Sequence, residues 1–406
     1  MAAAASNYVS SSDDDDDDDL PDLGNDRPRS PPPKPARKQN TLDRWVGAEA
    51  LAAPEPAPAD GRLVCDLFCS VGGVSAAAAA EGHTVVLAID MEQWRLDVHA
   101  ANHPHARHEC LKLGAGAEDR VTELIRECVP HDQWHRLWIH ASPPCTCQSG
   151  IVNIGEKRSH TNYKELDADR KHNHDLVKWT LSLIRELAPP QFSLEEVDDR
   201  SRKGTGFDRD SGVRGALQAM KRADRHFLDF DVFNMADFGV PQARQRLIAG
   251  RPVTIAQLRN ATALRVSRPM TAYEALCAAG CAPEQPDHRY IMGPFNRKPD
   301  PSKVIPTAEP GRFTDGRCGY YDSHLLPAPT LTGGNHFTWV KPNFESTSHC
   351  LTLEQASALM TFPLNFRWVE EPRAKRTSAK QRRSGLGNGV PPLFMQKVFR
   401  AASALV

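Results

Sequence analysis

A doubly wound α/β sheet with a smaller irregular lobe is the architecture this sequence predicts, on three observations. Between residues 62 and 252, short apolar runs rich in β-formers alternate with segments of helical periodicity. Beyond about residue 252 that alternation gives way to a stretch rich in Pro, Arg and Gly, up to about 345. Before residue 61 there is no run from which a core could be built.

Taken in order, strands are expected at RLVCDLFC (62–69), TVVLAID (84–90), RLWIHAS (136–142), QFSLEEV (191–197) and RLIAGR (246–251). Helices are expected at 74–80, 92–102, 119–128, 172–188 and 212–222. The middle stretch, with HRYIMGPFNRKPDPSK and TLTGGNHF, reads as irregular. A helical segment, LTLEQASALMTF, then leads through the basic loop EPRAKRTSAKQRRSG to a last helix from about 391. The divisions are therefore 1–60, 61–251, 252–345 and 346–406, with no internal repeat.

Composition narrows the class. The net charge of -1 conceals an acidic tail: residues 1–60 hold 13 acidic and 6 basic residues, leaving the remainder at +6, which suits a polyanionic partner. The tail, with SSSDDDDDDDLPDLG, RPRSPPPKPARK and LAAPEPAPAD, is expected to be disordered. No apolar run is long enough for a bilayer and no signal-peptide pattern opens the chain, so a soluble, intracellular monomer with no membrane partner is expected. The ten cysteines are then expected to stay reduced, and Cys277 and Cys281 lack the second tight pair of a zinc site, so no metal is expected.

Chemistry is suggested by five short motifs. DLFCSVGG (66–73) ends the first strand at a strand-to-helix turn, where glycines let a ligand approach the backbone and Rossmann-like sheets hold adenosine groups. Asp90, ending the next strand, is placed to accept both ribose hydroxyls of a nucleoside. In SPPC (142–145), two prolines fix the chain before Cys145 and present it in one orientation, as suits a nucleophile, though also a plain tight turn. LEEV (194–197), QARQR (242–246) and GNGVPP (387–392) follow. Arg244 and Arg246 fall on one face of an extended strand.

Together, in this order, the five motifs resemble the DNA (cytosine-5) methyltransferase family over about residues 62–400. The resemblance implies a Rossmann-like, S-adenosylmethionine-dependent catalytic domain (61–251, completed by 346–406) and a target-recognition lobe (252–345). It implies that Cys145 adds as thiolate to C6 of cytosine, making C5 nucleophilic enough to take a methyl group. Glu195 would donate a proton or hydrogen bond at N3, and Arg244 and Arg246 would hold the base. Asp66, Phe68, Gly72, Gly73, Asp90, Met91, Pro143 and Asn388 are the cofactor-binding candidates. The partner would be double-stranded DNA, with the target base flipped out of the duplex.

Three positions depart from the family pattern. Glu196 replaces an Asn, and a carboxylate pair there would repel and raise the pKa of one member. Cys110 stands about where the family places an Asp toward the adenine amine, and PCT replaces PCQ; Cys147 is read as a neighbour of the nucleophile. Two other functions fit the same sequence: a transfer-RNA cytosine methyltransferase, and a catalytically silent DNA-binding scaffold. Within the tail, KQNTLDRWVG resembles the box by which replication proteins bind the sliding clamp, with Gln39, Leu42 and Trp45 at its key positions in segment 39–46 and Val46 where a second aromatic is usual. Such a tether would imply a nuclear or viral-factory site, with RPRSPPPKPARK as an import signal.

Overall fold

The computed structural model describes residues 61–144, 163–197, 213–283, 288–292, 320–333, 337–341, 346–369 and 379–403. The acidic tail with Gln39, Leu42 and Trp45, and the segment holding Cys145 and Cys147, lie outside the described residues.

The expected α/β sheet is present. Its strands are β1 (Leu63–Leu67), β2 (Thr84–Asp90), β3 (Arg107–Cys110), β4 (Leu137–Ala141), β5 (Gln191–Glu196), β6 (Asp229–Asn234) and, after the two-residue β7 (Gln242–Ala243), β8 (Gln245–Gly250). They lie in the order β3-β2-β1-β4-β5-β8-β6. β1 pairs in parallel with both β2 and β4, so the chain reverses its direction of winding beside β1, and a crevice opens at the carboxyl ends of β1 and β4. β8 alone runs antiparallel to its neighbours β5 and β6. Its first residues therefore sit at the edge where the other strands end.

Helices cover both faces. On one face, α3 (Glu118–Cys128), α4 (Tyr163–Leu187) and α5 (Val213–Ala223) pack Val121, Leu124, Ile125, Ile184 and Leu217 against the sheet. On the other, α1 (Gly73–Ala80) and α2 (Gln93–Asn102) are joined by α6 (Pro252–Asn260) and the last helix. That last helix, α10 (Pro392–Ser403), follows α7 (Ala272–Ala278), α8 (Leu353–Leu359) and α9 (Ala379–Asn388). The alanines of α1 present so little side chain that α10 lies directly on it, with Phe394, Val398 and Phe399 filling the space down to Trp138 on β4. The Trp138 and Phe399 ring centroids are 4.7 Å apart, and burying each ring contributes about 1.5–3 kcal/mol.

Two expectations are corrected here. α6 begins at Pro252 and buries Ile255 and Leu258 in this main layer, so residues 252–260 belong to the large unit and the lobe starts later. The basic stretch read as a loop is partly helical, since α9 begins at Ala379. The lobe has a four-stranded sheet in the order β10-β9-β12-β13, made of β9 (Tyr290–Met292), β10 (Tyr320–Asp322), β12 (Thr338–Val340) and β13 (Ser346–Cys350). Its core of Ile291, Phe337 and Trp339 is continuous with Leu359 and Phe362 of the C-terminal segment. Between lobe and sheet, β11 (Ala328–Pro329) pairs in parallel with β7. Thr271 and Thr352 begin α7 and α8 with capping boxes closed by Glu274 and Gln355. None of the described helices is long and apolar enough to cross a membrane.

Candidate active site

The cofactor candidates gather at the carboxyl ends of β1 and β2. After β1 the chain turns with positive φ at Phe68 (59°) and Ser70 (48°), a geometry that costs non-glycine residues energy and marks a site held by its surroundings. Phe68 leans edge-on against Trp179 of α4. Asp90 holds the turn from below: its Oδ2 accepts from Ser70 N at 3.0 Å, and its Oδ1 from Glu92 N at 2.9 Å and Arg95 Nη1 at 3.4 Å. Met91, 55% exposed beside it, offers an apolar surface at the sheet edge. A carboxylate with spare lone pairs beside an uncovered apolar side chain fits the ribose and the flat base of an adenosine.

Gly72 and Gly73 are required by the packing of the protein's own chain. A side chain on Gly72 (φ 97°) would strike the ring of His99 at 2.9 Å, and one on Gly73 would come within 2.2 Å of the Val390 carbonyl. These glycines make room for the protein's own chain, letting the 387–390 turn close over the start of α1. Asn388 is exposed, with its side chain set against the backbone of Gly333, where a Cβ would meet Asn388 Oδ1 at 2.7 Å. Its neighbours, through Val390, make the contact with the cofactor turn. Cys110 is exposed opposite Asp90 in register, its thiol donating to the Met91 carbonyl at 3.4 Å.

Asp66 is buried at 1% exposure, with Oδ2 accepting from Ser75 Oγ at 2.8 Å and Oδ1 without a hydrogen-bond partner. Burial lifts this carboxyl to about 7, with nearby Asp90 adding to the rise and the Ser75 hydroxyl opposing it. His140, which sequence reasoning passed over, occupies the matching position of β4 and is bonded through both ring nitrogens, to Ser193 Oγ at 2.8 Å and Ser142 Oγ at 2.6 Å. Burial pushes its imidazole down to about 3, so it is neutral. Ser142 N also donates to the Leu67 carbonyl at 3.2 Å. The end of β4 is thereby fastened to the end of β1, and buried Pro143 is set beside the cofactor turn.

Glu195 is the next-to-last residue of β5 and nearly buried, and Arg246, second residue of the reversed β8, reaches it: Nε lies 3.0 Å from Oε1. The contact lacks hydrogen-bond alignment, so it is an attraction of charges at short range in a dry setting. Glu196 departs from the pairing expected of it. Successive strand residues point to opposite faces, and the Glu196 carboxylate accepts from the Val197 amide at 2.9 Å, away from Glu195.

Arg244 is likewise separated from Arg246, against the expectation that both face the same ligand. Irregular backbone between β7 and β8 turns it inward, where it is 2% exposed and donates to the carbonyls of Leu331 (3.0 Å), Gly387 (3.3 Å) and Gly389 (3.0 Å). It fastens the sheet, the lobe's return strand and the 387–390 turn together.

Residues 63–257 match the family model of the C-5 cytosine-specific DNA methylase. Over 184 residues the chain is 26% identical to the Type II methyltransferase M.XorII of Xanthomonas oryzae pv. oryzae, a match covering 45% of this chain and 38% of that protein. It is 23% identical over 356 residues to the Type II methyltransferase M1.HphI of Haemophilus parahaemolyticus, covering 83% of this chain and 85% of the relative. The chain thus matches less than half the length of some curated relatives and most of another. Its fold is shared, at TM-score 0.52 and 17% identity, with a solved prophage-encoded E. coli protein described as a DNA modification methyltransferase, over 85% of this chain and 99% of that one.

Proposed function

Because residues 63–257 match the family model of the C-5 cytosine-specific DNA methylase, we propose that this protein transfers a methyl group from S-adenosylmethionine to C5 of cytosine in double-stranded DNA. The observation that carries the reading is the Glu195–Arg246 pair at the carboxyl edge of the sheet, beside the β4 end that leads into Pro143 and Pro144. When bound, the cofactor supplies an electrophilic methyl group. Phe68, Asp90 and Met91 would hold it, with Pro143 beside them.

Cys145, delivered by the two prolines, adds to C6 of the flipped base; electron density moves toward N3, where Glu195, having taken up a proton from solvent as the base enters, donates it or its hydrogen bond and recovers it when the adduct breaks down. Arg246 holds the Glu195 carboxyl in place and puts a positive charge at this edge of the sheet, which would favour a thiolate there. After methylation the C5 proton leaves to water and the thiol is expelled, which restores the enzyme. The DNA substrate is favoured over transfer RNA by the matched family model, which is that of a cytosine-specific DNA methylase. The test is expression in a host free of cytosine methylation, followed by bisulfite sequencing of its DNA and its transfer RNA. Methylated DNA supports the reading, methylation confined to RNA replaces it, and none in either leaves a silent scaffold. The proposal extends to the tail box around Leu42 and Trp45 as a tether to a sliding clamp, and with it to a nuclear or viral-factory site.

A further inference from the structure

Behind the cofactor turn, four buried or half-buried side chains, one each from β1, α1, α2 and β3, form a continuous line. Ser75 Oγ lies 2.8 Å from Asp66 Oδ2; His99 Nε2 lies 2.9 Å from Ser75 Oγ; His108 Nε2 lies 2.9 Å from His99 Nδ1. Asp66, Ser75 and His99 are buried, and His108, on the edge strand β3, is half-buried. The bending needed to bring them together is what Gly72 permits, since any side chain there would strike His99.

Each link has a donor and an acceptor, so the line can be ordered in two ways. With Asp66 ionised, His108 Nε2–H donates to His99 Nδ1, His99 Nε2–H donates to Ser75, and Ser75 donates to the carboxylate. When a solvent proton adds at His108 Nδ1, each member hands one proton inward: His108 to His99, His99 to Ser75, Ser75 to Asp66. Every bond then runs the other way, all four groups are neutral, and exactly one proton has been taken up at the carboxyl. The Ala106 carbonyl beside His108 favours this second order, since it accepts from the ring. No isolated charge is left on either histidine in either order, which suits rings that burial and mutual repulsion keep from being cationic.

We propose that Asp66, Ser75, His99 and His108 form a buried proton store behind the cofactor turn, which favours a cationic ligand over its neutral product. The proposal rests on the S-adenosylmethionine reading above. That donor is a sulfonium cation and its demethylated product is neutral, so an ionised Asp66 draws in the first and is indifferent to the second. Binding of the cation expels the stored proton through His108; departure of the charge with the methyl group lets a proton return, and the spent product is held no more tightly than its shape requires.

Among the described residues, Cys65 on β1, beside Asp66, is kept a neutral thiol by burial, and the other titratable or charged groups facing this line are the following. Asp90 on β2 is paired with Arg95 on α2. Cys69 lies in the turn and is kept a neutral thiol by burial. His103 on α2 packs its ring 4.8 Å from that of His99 and is held down to about 4. His140 on β4 is fixed between two serines, and α1 contributes only Ser75. Asp66 is thus the group in this set placed to change charge near neutrality.

The test is calorimetry of S-adenosylmethionine and S-adenosylhomocysteine binding to the full chain, in buffers of different ionisation enthalpy, at about pH 6, 7 and 8. In the wild type the cation should release more protons than the neutral product, and the affinity ratio in its favour should grow about threefold or more from the lowest to the highest pH. Asp66→Asn should flatten that ratio, and Ser75→Ala, which keeps the carboxyl but removes the hydrogen bond that lowers its pKa, should move the rise to higher pH. Equal proton release for the two ligands, or an Asp66→Asn ratio that still follows pH, overturns the proposal. If neither ligand binds, the cofactor reading fails; 15N NMR of the ligand-free protein then tests the store alone. His99 and His108 should switch tautomer together as pH is raised through neutrality, and not in Asp66→Asn. Independent or absent switching overturns it.

Discussion

Arg246 Nε stands 3.0 Å from Glu195 Oε1, with the two side chains only 11% and 10% exposed, on neighbouring strands that run in opposite directions. Glu195→Gln should lower single-turnover methyl transfer about 10²- to 10⁴-fold, the usual span for losing a positioned acid. Arg246→Ala should cost a comparable amount. Because the two act as a unit, the double variant should lose less than the product of the single effects, with ~1–3 kcal/mol of coupling. Fully multiplicative losses would show that the pair does not act together.

The nucleophile is tested separately. Cys145→Ser should abolish methylation while leaving cofactor affinity close to wild type, and Cys147→Ser should be mild. A duplex containing 5-fluorocytosine should trap the enzyme covalently, since fluorine cannot leave C5 as a proton does. Activity lost in Cys147→Ser and kept in Cys145→Ser would reverse the assignment.

Arg244 should behave as a fastener. Arg244→Met leaves three buried carbonyls without their donor and should reduce stability by about 3 kcal/mol in urea unfolding. A variant of unchanged stability that has lost only base affinity would return Arg244 to a ligand-facing role.

Stability should fall on acidification below neutrality. An unfolded histidine gains its proton near pH 6.5, whereas His140 stays neutral in the fold down to about 3, so its contribution is complete above 6.5 and is lost as pH falls toward 3. His103, held down to about 4, adds to this. Asp66 opposes it, since its raised pKa makes the fold gain stability as pH drops from about 7 toward 3.8. The histidines outnumber it, and each can contribute up to ~1.4 kcal/mol per pH unit. Urea midpoints between pH 4 and 6 should therefore rise with pH, less steeply in His140→Gln; an unaltered slope in that variant would assign the acid sensitivity elsewhere.

A peptide spanning residues 34–50 should bind the sliding clamp of the source organism or its host with micromolar affinity, and joint Leu42→Ala and Trp45→Ala replacement should remove it. Calorimetry decides the matter. No binding by the intact peptide would leave the segment a solvated linker.

The α/β sheet was legible because β1, β2, β4, β5 and β8 carry dense apolar runs, while β3 and β6 were not. Arg107–Cys110 is a short polar edge, and Asp229–Asn234 alternates charge with aromatic residues on a half-covered edge strand. α6 was hidden because its Pro252 resembles the start of the Pro-rich lobe, although proline at a first helical position favours a helix. Motif order pointed to Asp66, Asp90, Glu195 and Arg246, which the fold brings to one edge of the sheet. It could not separate Arg244 from Arg246, because the break between β7 and β8 depends on carbonyls that lie 87 or more residues away in sequence. The histidine line was invisible for the same reason: Ser75, His99 and His108 meet only after α1, α2 and β3 have docked.

The seating of α10 on α1 has a consequence for synthesis. Arg400 grips Glu81 across 319 residues of sequence, and the Val390 carbonyl closes over Gly73. At ordinary elongation rates the ribosome needs roughly 15–60 s to make the chain between them. During that interval the alanine face of α1 is without its cover, and the nascent chain is at its most vulnerable to aggregation and proteolysis. A chaperone that shields Val74, Ala77 and Ala78 until the final helix emerges would set the yield of this protein in the cell.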